Sequence, residues 1–264
     1  MKLMNKKSFF LAAGPCVIEN EKMLYQTART LIRITSKLNI PFIFKSSYDK
    51  ANRTSVSSFR GPGLRKGLNI LKGLKEKLKI PLLIDVHCTE EVEPVAEIAD
   101  MIQIPAFLCR QTDLLQAAAR TGKWVNVKKG QFLSPESVKY IIEKLETAGC
   151  REISITERGT SFGYGRLVVD FPGIPVMKKF GYPVLFDATH SVQLPSTGQG
   201  KTGGTREVIP LLLYSAVVSG ADGIFMEVHP NPDKALSDRE SQFSLSRVEK
   251  VLTKAKELYR VMEG

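Results

Sequence analysis

The stretch FFLAAGPCVIEN, residues 9–20, decides how the rest of the chain is read. Its apolar part, FFLAA, follows Lys2, Lys6 and Lys7, and AGPC faintly matches a lipoprotein cleavage site with Cys16 as the anchor. That run is shorter than the ~7 apolar residues a secretory leader needs. Pro15 directly precedes the cysteine, and Glu19 and Glu21 follow closely. A short strand stopped by a Gly-Pro turn fits better. Seven more strand-like runs come after it: PFIFKSS (41–47), PLLIDVH (81–87), MIQIPA (101–106), WVNVKKG (124–130), EISITER (152–158), PVLFDATH (183–190) and GIFMEVHP (223–230). Most are rich in β-branched or aromatic residues, and several follow a proline or glycine.

Helical patterns lie between these runs. Leu24, Ala28, Leu31 and Leu38 recur at helical spacing, as do Leu64, Leu68, Leu71, Leu74 and Leu78. Ser134 reads as an N-cap before Pro135, opening ESVKYIIEKLETAG, and Gly149 as the C-terminal stop. Eight strands alternating with helices predict a parallel (β/α)8 barrel, with residues 1–264 as a single domain. A doubly wound open sheet is the alternative. No G-x-G-x-x-G follows the first strand and no Walker loop occurs, which disfavours its nucleotide-binding versions. The Gly-rich STGQGKTGG, residues 196–204, is the expected mobile loop.

Composition narrows the class. Hydrophobic residues make up 43% and charged ones 25% of 264 residues, an ordinary globular balance. No stretch is apolar for the ~18 residues of a membrane span. Four cysteines without a C-x-x-C spacing read as reduced thiols of a cytoplasmic protein. The net charge of +11 raises nucleic-acid binding as a reading. However, lysines interleave with leucines in LKGLKEKLKI (71–80), the pattern of a solvated helix face, and Trp124 is the only tryptophan for stacking.

Barrel chemistry collects at the C-terminal ends of strands. Here the eight runs end at or near Cys16, Lys45, Asp85 and His87, Gln103, Lys128 and Lys129, Glu157 and Arg158, Asp187 and His190, and Glu227 and His229. Cys16, His190, Glu227 and Asp238 would suit a divalent first-row metal. Spacing leaves this open, because a lone cysteine is often a small buried residue and Asp238 could cap a helix. The segment KSSYDKANRTSVSSFRGPG (45–63) gathers Lys45, Lys50, Arg53 and Arg60 with Asn52, Thr54 and Ser55 around one acid, Asp49. Lys128, Lys129 and Arg158 are expected to converge on it. Such a cluster suits one or two small phosphorylated anions, since an opposite charge at 4 Å is worth roughly 4 kcal/mol at an effective dielectric near 20.

AGPCVIE, FKSSYDKANRTS, FRGPG, IQIPAFLCRQTDLL, NVKKGQF, TERGTSFGY, DATHSVQLP and SDRESQF occur in order from Ala12 to Gln242. Together they resemble the 3-deoxy-manno-octulosonate 8-phosphate synthases. The resemblance implies a (β/α)8 barrel, a homotetramer, and condensation of phosphoenolpyruvate with arabinose 5-phosphate for lipopolysaccharide synthesis. It implies that Lys50, Lys128, Arg158, Gln103 and the main chain at Ala106 hold phosphoenolpyruvate, with Lys45 between the substrates. Asn52, Arg53 and Thr54 would grip the sugar phosphate; the family usually has serine at the last position. Asp85 would bind sugar hydroxyls, His87 would contact the reacting water, and Arg110 would reach a neighbouring subunit's site.

The metal-independent members carry asparagine at the first-strand cysteine. Cys16 therefore implies the metal-dependent class, with Cys16, His190, Glu227 and Asp238 as ligands of Fe²⁺, Zn²⁺, Mn²⁺ or Co²⁺ and no organic cofactor. Lys45, His87, His190 and Asp238 are the implied catalytic residues. No nucleic-acid or membrane partner is implied. The nearest rival is the related 3-deoxy-arabino-heptulosonate 7-phosphate synthase, which uses erythrose 4-phosphate. Its basic motif is closer to K-P-R-T-S, whereas KANRTS begins here at Lys50.

Overall fold

The computed structural model describes residues 9–53, 55–195 and 203–263. Thr54 and most of the Gly-rich segment, residues 196–202, lie outside them, as do residues 1–8. Eleven strands occur among the described residues. Their ranges are β1 (Phe10–Gly14), β2 (Phe42–Lys45), β3 (Leu82–Asp85), β4 (Met101–Ile104), β5 (Trp124–Lys128), β6 (Ile153–Glu157), β7 (Val184–Asp187), β8 (Gln193–Leu194), β9 (Gly203–Gly204), β10 (Gly223–His229) and β11 (Phe243–Ser244). β1 to β7 and β10 pair in parallel, and β10 returns to β1, which closes an eight-stranded barrel. Every one of the eight expected runs supplies a barrel strand. The small pairs were not foreseen: β8 joins β9 antiparallel, and β11 extends the top of β10.

Eight α-helices accompany the strands: α1 (Glu21–Leu38), α2 (Leu64–Leu78), α3 (Val92–Ala96), α4 (Thr112–Arg120), α5 (Val138–Thr147), α6 (Gly173–Lys178), α7 (Ile209–Val218) and α8 (Val248–Glu263). Helix α1 starts where Asn20 Oδ1 accepts from the Met23 amide, satisfying one orphan donor. Its Leu24, Ala28, Leu31 and Ile34 are buried on one face. In α2, Leu68, Leu71 and Leu74 are buried while Lys66, Lys72 and Lys77 stay exposed, as does Lys79 just past its end, so these lysines form a solvated face. The entry to α5 differs from expectation. Pro135–Ser137 form a 3-10 turn, the α-helix begins at Val138, and the Ser134 side chain makes no capping bond to the backbone. Gly149 takes φ +92° at the exit, where glycine carries no Cβ penalty.

Strand alternation divides the buried side chains into two sets. Leu11, Phe44, Ile84, Ile102, Val127, Ile155, Phe186 and Ile224 belong to the core between strands and helices. Phe10, Ala12, Ile43, Leu83, Met101, Leu185 and Phe225 pack together inside the barrel. Above them the interior turns polar. Gln103 Nε2 donates to Asn126 Oδ1 at 2.8 Å, and Asn126 Nδ2 donates to Ser154 Oγ at 3.0 Å and Thr156 Oγ1 at 2.9 Å. This ladder is fully buried and ties β4, β5 and β6 together just below the mouth. Gly14 ends β1 where no side chain fits, because a Cβ there would lie 2.0 Å from the Lys45 carbonyl oxygen. That close approach brings the segment after β1 against the end of β2.

Asn126→Ala would leave Gln103, Ser154 and Thr156 short of partners. Each buried group left unpaired costs about 1–3 kcal/mol. Urea unfolding is expected to show a loss of at least that size for Asn126→Ala, and an unchanged midpoint would contradict the ladder.

Candidate active site

A cleft of about 540 Å³ opens at the C-terminal end of the barrel. It is lined by Lys45, Lys50, Asn52, Arg53, Asp85, His87, Gln103, Ala106, Lys128, Arg158, His190, Glu227 and Asp238. Residues expected from eight separate segments thus share one cavity. A larger groove, about 1050 Å³, runs outside the barrel along α2. There Lys75 and Asp100 pair with each other at 2.7 Å, and none of the strand-end cluster reaches it.

On one side of the cleft lies a set of metal-type donors. Ligand atoms of Cys16, Glu227 and Asp238 all fall within 4.8 Å of one another. His190 Nε2 adds to them, 3.4 Å from Glu227 Oε2 and 3.8 Å from Asp238 Oδ2. Asp238 has φ +43°, a left-handed conformation that is uncommon without glycine. Cys16 Sγ lies 3.3 Å from Asp238 Oδ2 and 2.8 Å from Ser237 Oγ. Burial, then the Asp238 and Glu227 carboxylates, push the Cys16 thiol well above its ordinary range. The pocket therefore concentrates acidic donors that repel one another's charge. A soft-to-borderline divalent cation relieves that repulsion, so thiolate, imidazole and two carboxylates fit such an ion.

Cations occupy the rest of the cleft, and its three lysines are each set against a buried carboxylate. Lys45 Nζ is 3.2 Å from Asp85 Oδ1 and 3.9 Å from Glu227 Oε1, and it donates to Ser47 Oγ at 2.6 Å. Lys50 Nζ is 3.3 Å from Glu227 Oε1. Lys128 Nζ donates to Asp187 Oδ2 at 2.6 Å and lies 3.7 Å from the centre of the Phe225 ring. Burial pulls the Lys128 ammonium below its ordinary range, even with Asp187 and Glu227 facing it. For the carboxylates burial also opposes charge, but the cations win. His190 and Lys128 hold Asp187 well below the usual carboxylate range, and Lys45 with His87 does so for Asp85. Asp187 Oδ2 also sits 2.7 Å from His190 Nδ1, fixing the ring so that Nε2 faces the donor set.

Several expected residues are elsewhere. Lys129 does not converge on the cleft. It alternates to the outer side of β5 and pairs at 3.3 Å with Glu157, both buried under the helices. His229 turns away from the mouth to Glu19, 3.5 Å off, and Arg60 pairs with Asp49 at the exposed rim. Arg110 is exposed and outside this chain's cleft. Thr54 lies outside the described residues. Other residues were missed. Ser47, Gln193 and Ser237 hold Lys45, Arg158 and Cys16 respectively, and Asp187, expected only as a strand end, holds Lys128 and His190; Arg158 Nη2 donates to Gln193 Oε1 at 2.7 Å. Gln193 and Ser237 stand inside DATHSVQLP and SDRESQF, so adjacency to a chemical residue was the available signal.

Comparison with known proteins bears on this arrangement. The profile of the DAHP synthetase I family matches residues 4–263. The chain belongs to that family. A Geobacter metallireducens protein called 2-dehydro-3-deoxyphosphooctonate aldolase is 51% identical over 263 residues, covering 100% of this chain and 97% of its own length. Proteins with the same name from Desulfosudis oleivorans and Desulfotalea psychrophila are 57% and 53% identical, over 91% and 92% of this chain and 87% of each relative. No helix among the described residues is long and apolar enough to cross a membrane.

Cys88 is exposed, while Cys16, Cys109 and Cys150 are buried. Thiol labelling of the folded protein followed by peptide mass mapping is expected to modify Cys88 first. Labelling of Cys16 at a comparable rate would contradict the closed donor set.

Proposed function

We propose that this chain condenses phosphoenolpyruvate with D-arabinose 5-phosphate and water, giving 3-deoxy-D-manno-octulosonate 8-phosphate and inorganic phosphate for lipopolysaccharide synthesis. The observation that carries this reading is the array of Lys45, Lys50, Lys128 and Arg158 in one barrel mouth beside the Cys16, His190, Glu227 and Asp238 donors. The name shared by relatives at 51–57% identity supports it.

In this reading Lys50, Lys128 and Arg158, with Gln103 and the main chain at Ala106, hold phosphoenolpyruvate. Lys45 stands between the two substrates. Asn52, Arg53 and Thr54 grip the sugar phosphate, and Asp85 accepts from sugar hydroxyls. The enol carbon attacks the sugar aldehyde and forms the new C–C bond. Water adds to the neighbouring carbon as positive charge develops there. The hemiketal phosphate then loses phosphate by C–O cleavage. Binding two polyanions side by side needs their charges offset, which the cations of the mouth do before reaction begins. His87 faces the water's approach. Cys16, His190, Glu227 and Asp238 would hold a divalent first-row metal, Fe²⁺, Zn²⁺, Mn²⁺ or Co²⁺, whose Lewis acidity would orient the aldehyde or acidify the water. The protein acts in the cytoplasm as a single-domain homotetramer, with Arg110 of each subunit reaching a neighbour's sugar phosphate.

The test is phosphate release from phosphoenolpyruvate with each sugar phosphate in turn. Arabinose 5-phosphate is expected to give the higher kcat/KM, because KANRTS replaces the proline-containing motif of the erythrose 4-phosphate enzymes. A higher value with erythrose 4-phosphate would transfer the chain to the rival reaction. Arg53→Ala is expected to raise KM for the sugar phosphate roughly ten- to a hundredfold, as befits a lost charge-assisted hydrogen bond of about 1.5–3 kcal/mol. Equal effects on both substrates would show that Arg53 is not at the sugar phosphate.

A further inference from the structure

His87 is the one histidine of the cleft that has a carboxylate at each ring nitrogen and stands apart from the metal-type donors. Its Nε2 lies 3.4 Å from Asp85 Oδ2, and its Nδ1 lies 3.1 Å from Glu91 Oε2. The same Glu91 oxygen accepts from the His87 backbone amide at 2.7 Å and from the Tyr48 hydroxyl at 2.6 Å. The Tyr48 ring meets the His87 ring edge-on, with centroids 5.5 Å apart. Three donors therefore converge on one carboxylate oxygen, and the ring is fixed on two sides. Glu91 itself does not line the cleft.

An ionised carboxylate only accepts, and a neutral imidazole has a single N–H. With carboxylate oxygens at both nitrogens, a neutral ring would set one lone pair against another. We propose that Glu91 is a positioning residue that fixes the His87 ring and keeps both of its nitrogens protonated in the free protein. His87 then meets the substrates as a cationic double donor. A doubly protonated ring has no lone pair with which to take the reacting water's proton, and its charge adds to that of Lys45 and Lys50 in offsetting the substrates' anions. This consequence for turnover rests on the synthase reading; the protonation of the ring does not.

The surrounding charges agree. Burial works against the imidazolium, yet the hydrogen bonds to Asp85 and Glu91 outweigh it and lift His87 to about 9. Glu91 is held below the usual carboxylate range by His87 and Tyr48, against its own burial. Asp85 is offset by Lys45 at 3.2 Å, and the titratable groups around this cluster among the described residues include Tyr48, whose phenol is pushed up by burial and by Glu91, Lys50 beyond Asp85, Arg60 with its partner Asp49 beyond Glu91, and Cys88 with Glu90. Since the folded value lies above the ordinary ~6.5, the stability this group contributes is complete below that pH and is lost as pH rises through about 9.

The chain has three histidines, so ring signals of the full protein labelled with 15N-histidine are few, and His87→Asn assigns the one in question. Near neutral pH both His87 nitrogens are expected to carry protons. Glu91→Gln keeps the shape and removes the charge, and is expected to lower the His87 midpoint by roughly one to three units. Its kcat/KM should fall in mildly alkaline solution and return toward the parent value in mildly acidic solution, which a merely damaged fold would not do. Absent turnover in every form, with the ring behaving as stated, would count against the synthase reading and leave Glu91's role standing. A singly protonated His87 in the parent protein near neutral pH, or an unchanged midpoint in Glu91→Gln, would overturn the proposal.

Discussion

Glu227 is the group on which the barrel mouth is organised. It lies on the last barrel strand, 1% exposed, and reaches Lys50 at 3.3 Å, His190 at 3.4 Å and Lys45 at 3.9 Å. It also belongs to the donor set with Cys16 and Asp238. Burial of a lone carboxylate would force it to take up a proton. Here Lys50, His190, Lys45 and Lys128 hold it far below the usual carboxylate range instead. A single charge thus links the cationic half of the cleft to the metal-type half. Neutralising it would strand buried ammonium groups and weaken the donor set together.

Asp85 and Asp187 repeat the device at a smaller scale, each facing one lysine across the barrel top. Buried pairs of this kind add little net stability, because desolvation offsets most of the attraction. Their value lies in holding ammonium groups out of water, in fixed positions, before any substrate arrives. Phosphate and carboxylate groups then meet preorganised charge with little left to rearrange. The polar ladder from Gln103 through Asn126 to Ser154 and Thr156 sets the floor on which these groups stand. The apolar plug of Phe10, Ile43, Met101 and Phe225 closes the barrel beneath it.

Most of this was legible in the sequence. Eight short runs rich in β-branched and aromatic residues marked the eight barrel strands, and their polar ends marked the mouth. Which neighbour of a polar pair faces inward was not legible. Strands of a parallel barrel are buried on both faces, so Val125 and Val127 give no hint that Lys128 points in and Lys129 points out. The same parity problem hid the outward turn of Glu157, whereas His229 shares the parity of Phe225 and Glu227 and is drawn off at the strand's last residue to Glu19. Asp187 and Glu91 went unassigned for another reason. Their roles depend on distances across loops, such as Asp187 to Lys128 and Glu91 to Tyr48, that no local pattern encodes.

The resemblance read from the motifs supplied what spacing could not, namely the expectation that Cys16, His190, Glu227 and Asp238 form one ligand set. The geometry brings the three acidic members together with the imidazole at their edge, although their segments are far apart in the chain. Elemental analysis of protein purified without chelator tests this most directly. We predict about one equivalent of a divalent first-row metal per chain, lost together with turnover on chelation and bound poorly by Cys16→Ser, since a hydroxyl is a weaker donor than a thiolate. Fully active parent protein shown to contain no metal would contradict it.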